Sequence, residues 1–210
     1  MDVISNSAAR YVRLREEEMS LDEYLSLCQR DPMAYAGASQ RMLSVIGEPE
    51  MVDTRNDPVL SRLFANKVIR RYPAFSEFYG MEDAIEQVVS FFRHAAQGLE
   101  ERKQILYLLG PVGGGKSSIA ERLKYLMQKA PFYALKGSPV NESPLGLFDP
   151  VEDGPVLEDE FGIPRRSLQH VLSPWAVKRL EEFGGDIRQF RVVKRYPSIL
   201  KQIGIAKTEP

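Results

Sequence analysis

The chain has 210 residues and a formal net charge of −1, with 43% apolar and 27% charged residues, which suits a globular fold with one substantial core. No apolar run approaches the roughly 20 residues that a membrane-spanning helix needs, and residues 1–5 (MDVIS) lack the basic-then-apolar layout of a secretion signal. Cys28 is the only cysteine, which excludes an internal disulfide and a cysteine-based metal site and leads to the expectation of a cytoplasmic protein.

Residues 1–56 read as an N-terminal helical segment. Ser20 and Glu23 have the spacing of a capping box, opening a helix with Leu21, Tyr24, Leu25 and Cys28 on one side. Asp31-Pro32 predicts a second helix start, with Gly47 as its stop. Asp57-Pro58 repeats the start signal ahead of Val59, Leu60, Leu63 and Phe64. Phe75, Phe78, Tyr79 and Gly80 then lead into a helix with Ile85, Val88, Val89 and Phe92 on one face.

Residues 105–109 (ILYLL) form an apolar run of strand length that stops at Gly110. There follow Gly110, Pro111, Val112, Gly113, Gly114, Gly115, Lys116, Ser117 and Ser118, the Walker A pattern of glycine, four residues, then Gly-Lys-Ser. Ile119, Ala120, Leu123 and Met127 recur at helical spacing through 117–130. A strand, a glycine-rich turn and a helix suit phosphate binding, because glycines let successive N–H groups point at one anion and the helix start adds its positive dipole end. In that pattern Lys116 reaches the β- and γ-phosphates and the Ser117 hydroxyl sits on Mg²⁺. ATP and Mg²⁺ are therefore the expected cofactors, with Lys116 as the catalytic cation.

Residues 131–136 read as the next strand, and 137–164 have the proline and glycine content of loop. Ser173-Pro174 predicts a helix carrying Trp175, Leu180 and Phe183 that stops at Gly184-Gly185. A short strand is expected at 190–193 and a last helix at 199–206. Residues 161–210 hold 10 Lys/Arg against 4 Asp/Glu, whereas residues 1–160 hold 18 against 25. The basic end is read as a solvated face, since no nucleic-acid motif accompanies it. His94 and His170 are read as surface or packing residues.

Hydrolysis of ATP also needs an acid at the end of a buried strand. The candidate is 156–160 (VLEDE), and its lead-in is wrong: Pro155 blocks a central strand and Glu158 would bury a charge. Asp159 and Glu160 are therefore expected on a surface helix or turn, and no convincing hydrolytic carboxylate is found.

Residues 79–89 (YGMEDAIEQVV), 104–118, 161–166 (FGIPRR), 172–176 (LSPWA) and 183–187 (FGGDI) closely resemble the bacterial PrkA-type serine protein kinases. The resemblance implies the N-terminal part of an AAA+ ATPase module in a longer protein with a kinase-like C-terminal region, linked to stress responses. It also implies that the backbone near Tyr79 and Gly80 contacts the adenine. The expected fold is an α/β P-loop core, incomplete, with an N-terminal helical segment at 1–56, the core at 57–154 and a helical basic segment at 155–210. The expected partners are ATP, protein substrates and further copies of the chain, with no membrane and no nucleic acid. A helicase-loader-like ATPase and a nucleotide-gated interaction module are the alternatives.

Overall fold

A computed structural model describes residues 17–168 and 171–197. Its elements in chain order are β1 (Glu18–Ser20), α1 (Leu21–Arg30), α2 (Ala38–Ile46), β2 (Glu50–Asp53), α3 (Pro58–Phe64), β3 (Val68–Arg71), α4 (Glu82–Ala96), α5 (Lys116–Met127), β4 (Phe132–Leu135), α6 (Gly154–Phe161), α7 (Pro174–Glu182) and β5 (Arg191–Arg195). Their contacts divide the chain into two compact units. One takes the chain through Tyr35 together with Phe132–Arg195, and the other takes Ala36–Pro131. The segment 1–56 is thus shared between units. Among the described residues no helix is long and apolar enough to cross a membrane.

The first unit is built on a three-stranded antiparallel sheet in the order β1-β5-β4, with Met19 opposite Val192 and Leu135 also opposite Val192. The expected capping box opens α1: the Glu23 N–H donates to Ser20 Oγ at 3.2 Å, and the Ser20 N–H to Glu23 Oε2 at 2.7 Å. Leu21, Tyr24, Leu25 and Cys28 then fall on one helical face and are buried. They meet Leu135, Val192 and the proline-rich stretch through Leu145, Leu147 and Phe148. That stretch carries no strand, yet it supplies core. Each fully buried Leu or Phe here contributes about 1.5–3 kcal/mol.

The second unit holds the two-stranded antiparallel sheet β2-β3, with Val52 opposite Ile69, and packs α2, α4 and α5 around Met42, Ile46, Ile85, Val88, Ile119 and Leu123. Asp57 caps α3 as expected, accepting from the Val59 and Leu60 N–H groups at 2.8 and 3.1 Å. The helix expected from Asp31-Pro32 is corrected: only a 3-10 turn, Pro32–Tyr35, follows, and α2 begins after Gly37. The Asp31 carboxylate accepts from the Met33 N–H at 2.9 Å, and the Tyr24 hydroxyl donates to the Ala34 carbonyl at 3.3 Å, so a local bond and one from α1 hold the turn.

One strand expectation also changes. Residues 105–109 form no strand and belong to neither sheet, and among the described residues both sheets are antiparallel. Leu106 and Leu108 pack on the core, while Ile105, Tyr107 and Leu109 are 90%, 77% and 80% exposed. One face is fixed by packing, but among the described residues no neighbouring backbone supplies a ladder. The strand expected at 131–136 is present as β4, and its partner is β5. The basic segment holds a helix, α7, and a strand, β5; the helix expected at 199–206 lies outside the described residues, as does His170.

Candidate functional site

The glycine-rich loop runs from residues 105–109 into α5 within the second unit. Gly110, Gly113 and Gly115 have φ of +156°, +81° and +73°, values in which a side chain strains the backbone. Gly114 has ordinary φ but little room: a Cβ there would stand 3.1 Å from the Pro111 carbonyl oxygen. The Gly114 N–H donates to that oxygen at 3.2 Å, closing a turn. Gly115 is then the left-handed residue at which the chain enters α5, and its carbonyl accepts the first helical bond from the Ile119 N–H at 2.9 Å.

No side chain caps the first amides of α5. Lys116, the first helical residue, turns its Nζ back over the loop and donates to the carbonyls of Gly110 at 2.8 Å and Pro111 at 2.5 Å. Pro111, Val112, Ser117 and Ser118 are exposed. Uncapped helical amides and a lysine ammonium therefore stand at a loop whose glycines carry no Cβ, and the exposed Ser117 follows directly. That donor set fits a phosphate group, and Ser117 has the oxygen a hard cation takes.

The segment before α4 is held against this loop. Met81 lies so near Gly115 that a Cβ on the glycine would be 2.8 Å from its Sδ. Arg122 of α5 donates to the Ala74 carbonyl at 2.6 Å and lies 3.7 Å from Glu77. Gly80 has φ +75°, and a Cβ there would stand 3.0 Å from Leu63, so the turn before α4 requires glycine. Tyr79 is 84% exposed at the lip. Tyr79, Gly80 and the 110–118 loop thus share one unit, joined through Met81.

Sequence reasoning did not single out the polar cluster behind them. The Tyr72 hydroxyl donates to Glu86 at 2.6 Å, Arg70 pairs with Glu86 at 2.7 Å, and Arg93 donates to the Tyr72 oxygen at 3.2 Å. Burial raises the Glu86 carboxyl, but bonds from Tyr72 and Arg70 outweigh it and hold the group below its ordinary value. The cluster fixes β3 to α4. His94 hydrogen-bonds Glu101 at 3.1 Å, a packing role. Glu158, Asp159 and Glu160 are exposed on α6, in the unit that does not contain the loop.

The model of the PrkA AAA domain family matches residues 19–210. The chain is 63% identical over its whole length to the serine/threonine kinase YeaG of Escherichia coli K12, covering 33% of that protein. It is 33% identical to the ATP-dependent protease PrkA of Bacillus subtilis over 94% of its length, covering 31% of that protein. It therefore spans about a third of the length of the curated relatives it matches. No solved structure matches. A family model over nearly the whole chain, and a mixed α/β fold that sets the glycine loop at a helix start, lead to one conclusion: this chain belongs to the PrkA AAA domain family.

Proposed function

We propose that residues 110–118 hold the phosphates of ATP as the Walker A loop of a P-loop core, with Lys116 on the β- and γ-phosphates and Ser117 on Mg²⁺. The observation that carries this is the loop itself: glycines at positive φ lead into a helix whose first amides have no side-chain cap, with the Lys116 ammonium turned back over the loop. Mg²⁺, when bound, neutralises charge on the phosphates. The chain's own residues do the rest. The α5 amides orient an anion, Lys116 exchanges its two carbonyl bonds for phosphate oxygens, and Tyr79 and Gly80 stand where Met81 meets the loop, on the base side.

In the intact protein, which we place in the cytoplasm, this module would feed a serine/threonine kinase, the activity in the name of its Escherichia coli relative. The name of the Bacillus relative, an ATP-dependent protease, supplies a second reading in which the same ATP site drives proteolysis. Both need the loop, and they part at the product: phosphoserine or cleaved protein. Incubating the intact protein with labelled ATP and a casein-type substrate separates them.

The described residues offer no buried strand ending in an acid near the loop. Residues 1–210 should therefore bind ATP and turn it over poorly. The pair Asp159→Asn and Glu160→Gln, made in the intact protein, should leave phosphate release within about twofold of the parent. A general acid or base would contribute about 10²–10⁴. A collapse of turnover with ATP still bound would place the hydrolytic acid on α6.

A further inference from the structure

Glu82, the first residue of α4, is 5% exposed, and its Oε2 has no hydrogen-bond partner among the described residues. Its other oxygen is 4.0 Å from the Arg71 guanidinium, too far for a hydrogen bond. A buried carboxylate oxygen left unsatisfied is costly and rare. The helix dipole at the start of α4 offsets part of that cost but supplies no donor.

Glu82 lines a cavity of about 170 Å³ whose walls include Phe75, Phe78 and Tyr79, with Arg70 and Arg71 also at its edge. The space is small beside the pockets of about 300–1,000 Å³ that take whole drug-sized ligands, so it suits one ring system of a larger molecule. Flat aromatic walls and one buried acceptor describe a site for a planar ring bearing an N–H donor. Two guanidiniums at the edge disfavour a second cation, so a neutral amine fits better than a lysine or arginine from a partner. Met81, the residue before Glu82, is the one pressed on Gly115 of the glycine loop.

We infer that Glu82 is the base-selecting residue of the nucleotide site: its Oε2 accepts from the exocyclic amine of adenine and rejects a purine that presents a carbonyl there. This rests on the phosphate-loop reading. The carboxylate is acceptor-only, so a base with an oxygen at that edge meets repulsion as well as a lost bond.

The test is competition of ATP and inosine triphosphate, which differ at this edge of the base, for the intact protein with Mg²⁺ present. ATP should bind roughly ten- to a hundredfold more tightly, the span of one hydrogen bond to a charged group. Glu82→Gln carries both a donor and an acceptor, so it should bring the two affinities within about threefold, mainly by gaining inosine triphosphate. Lys116→Ala should weaken both nucleotides alike and keep the ratio. Without nucleotide, Glu82→Gln should melt no lower than the parent, since Arg71 stands 4.0 Å away and the buried Oε2 has no donor among the described residues. Equal affinities in the parent would overturn the inference whatever the variant does. So would an unchanged ratio in Glu82→Gln with a lowered melting point, which would make the residue an ion-pair partner of Arg71. Absence of binding by either triphosphate would overturn the phosphate-loop reading and this inference with it.

Discussion

Met81 and Gly115 are in such close contact that a Cβ on the glycine would stand 2.8 Å from the Met81 sulfur and 2.9 Å from its methyl carbon. Two problems would follow from Gly115→Ala. The methionine tip could swing away, but the backbone at φ +73° would keep a left-handed strain of about 1–2 kcal/mol. Nucleotide affinity should fall about five- to thirtyfold as the loop relaxes. Adding Met81→Ala should recover only part of it, because the strain remains. Titration of both variants with a fluorescent ATP analogue checks this, and undiminished affinity in Gly115→Ala would contradict it.

Cys28 reports on the first unit. Its side chain is 1% exposed, and burial pushes the thiol up to about 11. A thiol reagent at pH 8 should label it only when the unit opens. The pH dependence follows from the same shift. The unfolded thiol ionises near 9.0 and the folded one near 11, so its contribution is intact below 9.0 and is lost as pH rises towards 11. Tyr24 beside it, raised well above 10.0 by burial, acts in the same direction at still higher pH. Urea midpoints should fall between pH 8 and 10.5, and less steeply in Cys28→Ala. Rapid native-state labelling would show that α1 does not cover the thiol.

Much of this fold was readable where a local rule decides. Ser20 with Glu23 and Asp57 with Pro58 start their helices as expected, because a cap acts within one turn. Gly184 and Gly185 stop α7 with φ of +63° and +85° for the same reason. The strands were harder. β2 and β3 have four residues each and pair Glu50 with Arg71 and Met51 with Arg70, so neither shows an apolar alternation. Residues 105–109 carried the apolar signal and joined no sheet, since a ladder depends on residues distant in sequence. The glycine-rich turn at the start of α5 was legible because its geometry is local. Glu82 was not, because nothing in its neighbours announces that one oxygen is buried without a donor.

The open face of 105–109 has a consequence in solution. Ile105, Tyr107 and Leu109 are all more than three-quarters exposed, on a segment that belongs to neither sheet among the described residues. Such a surface favours pairing with another chain. Residues 1–210 should therefore self-associate as concentration rises, and Ile105→Lys with Leu109→Lys should shift sedimentation towards the monomer. A parent chain that stays monomeric at high concentration would contradict this.

The central claim is that the 110–118 loop binds the phosphates of a nucleotide through Lys116, and one titration tests it most directly. Among the described residues Lys116 bonds only to the carbonyls of Gly110 and Pro111, so replacing it with Ala should leave stability within about 0.5 kcal/mol. Loss of a charge-assisted contact worth about 1.5–3 kcal/mol should weaken Mg-ATP binding roughly ten- to a hundredfold. Measured by isothermal titration on the parent and Lys116→Ala side by side, that drop with an unchanged melting point is the predicted result. Equal affinity in the two proteins would contradict it.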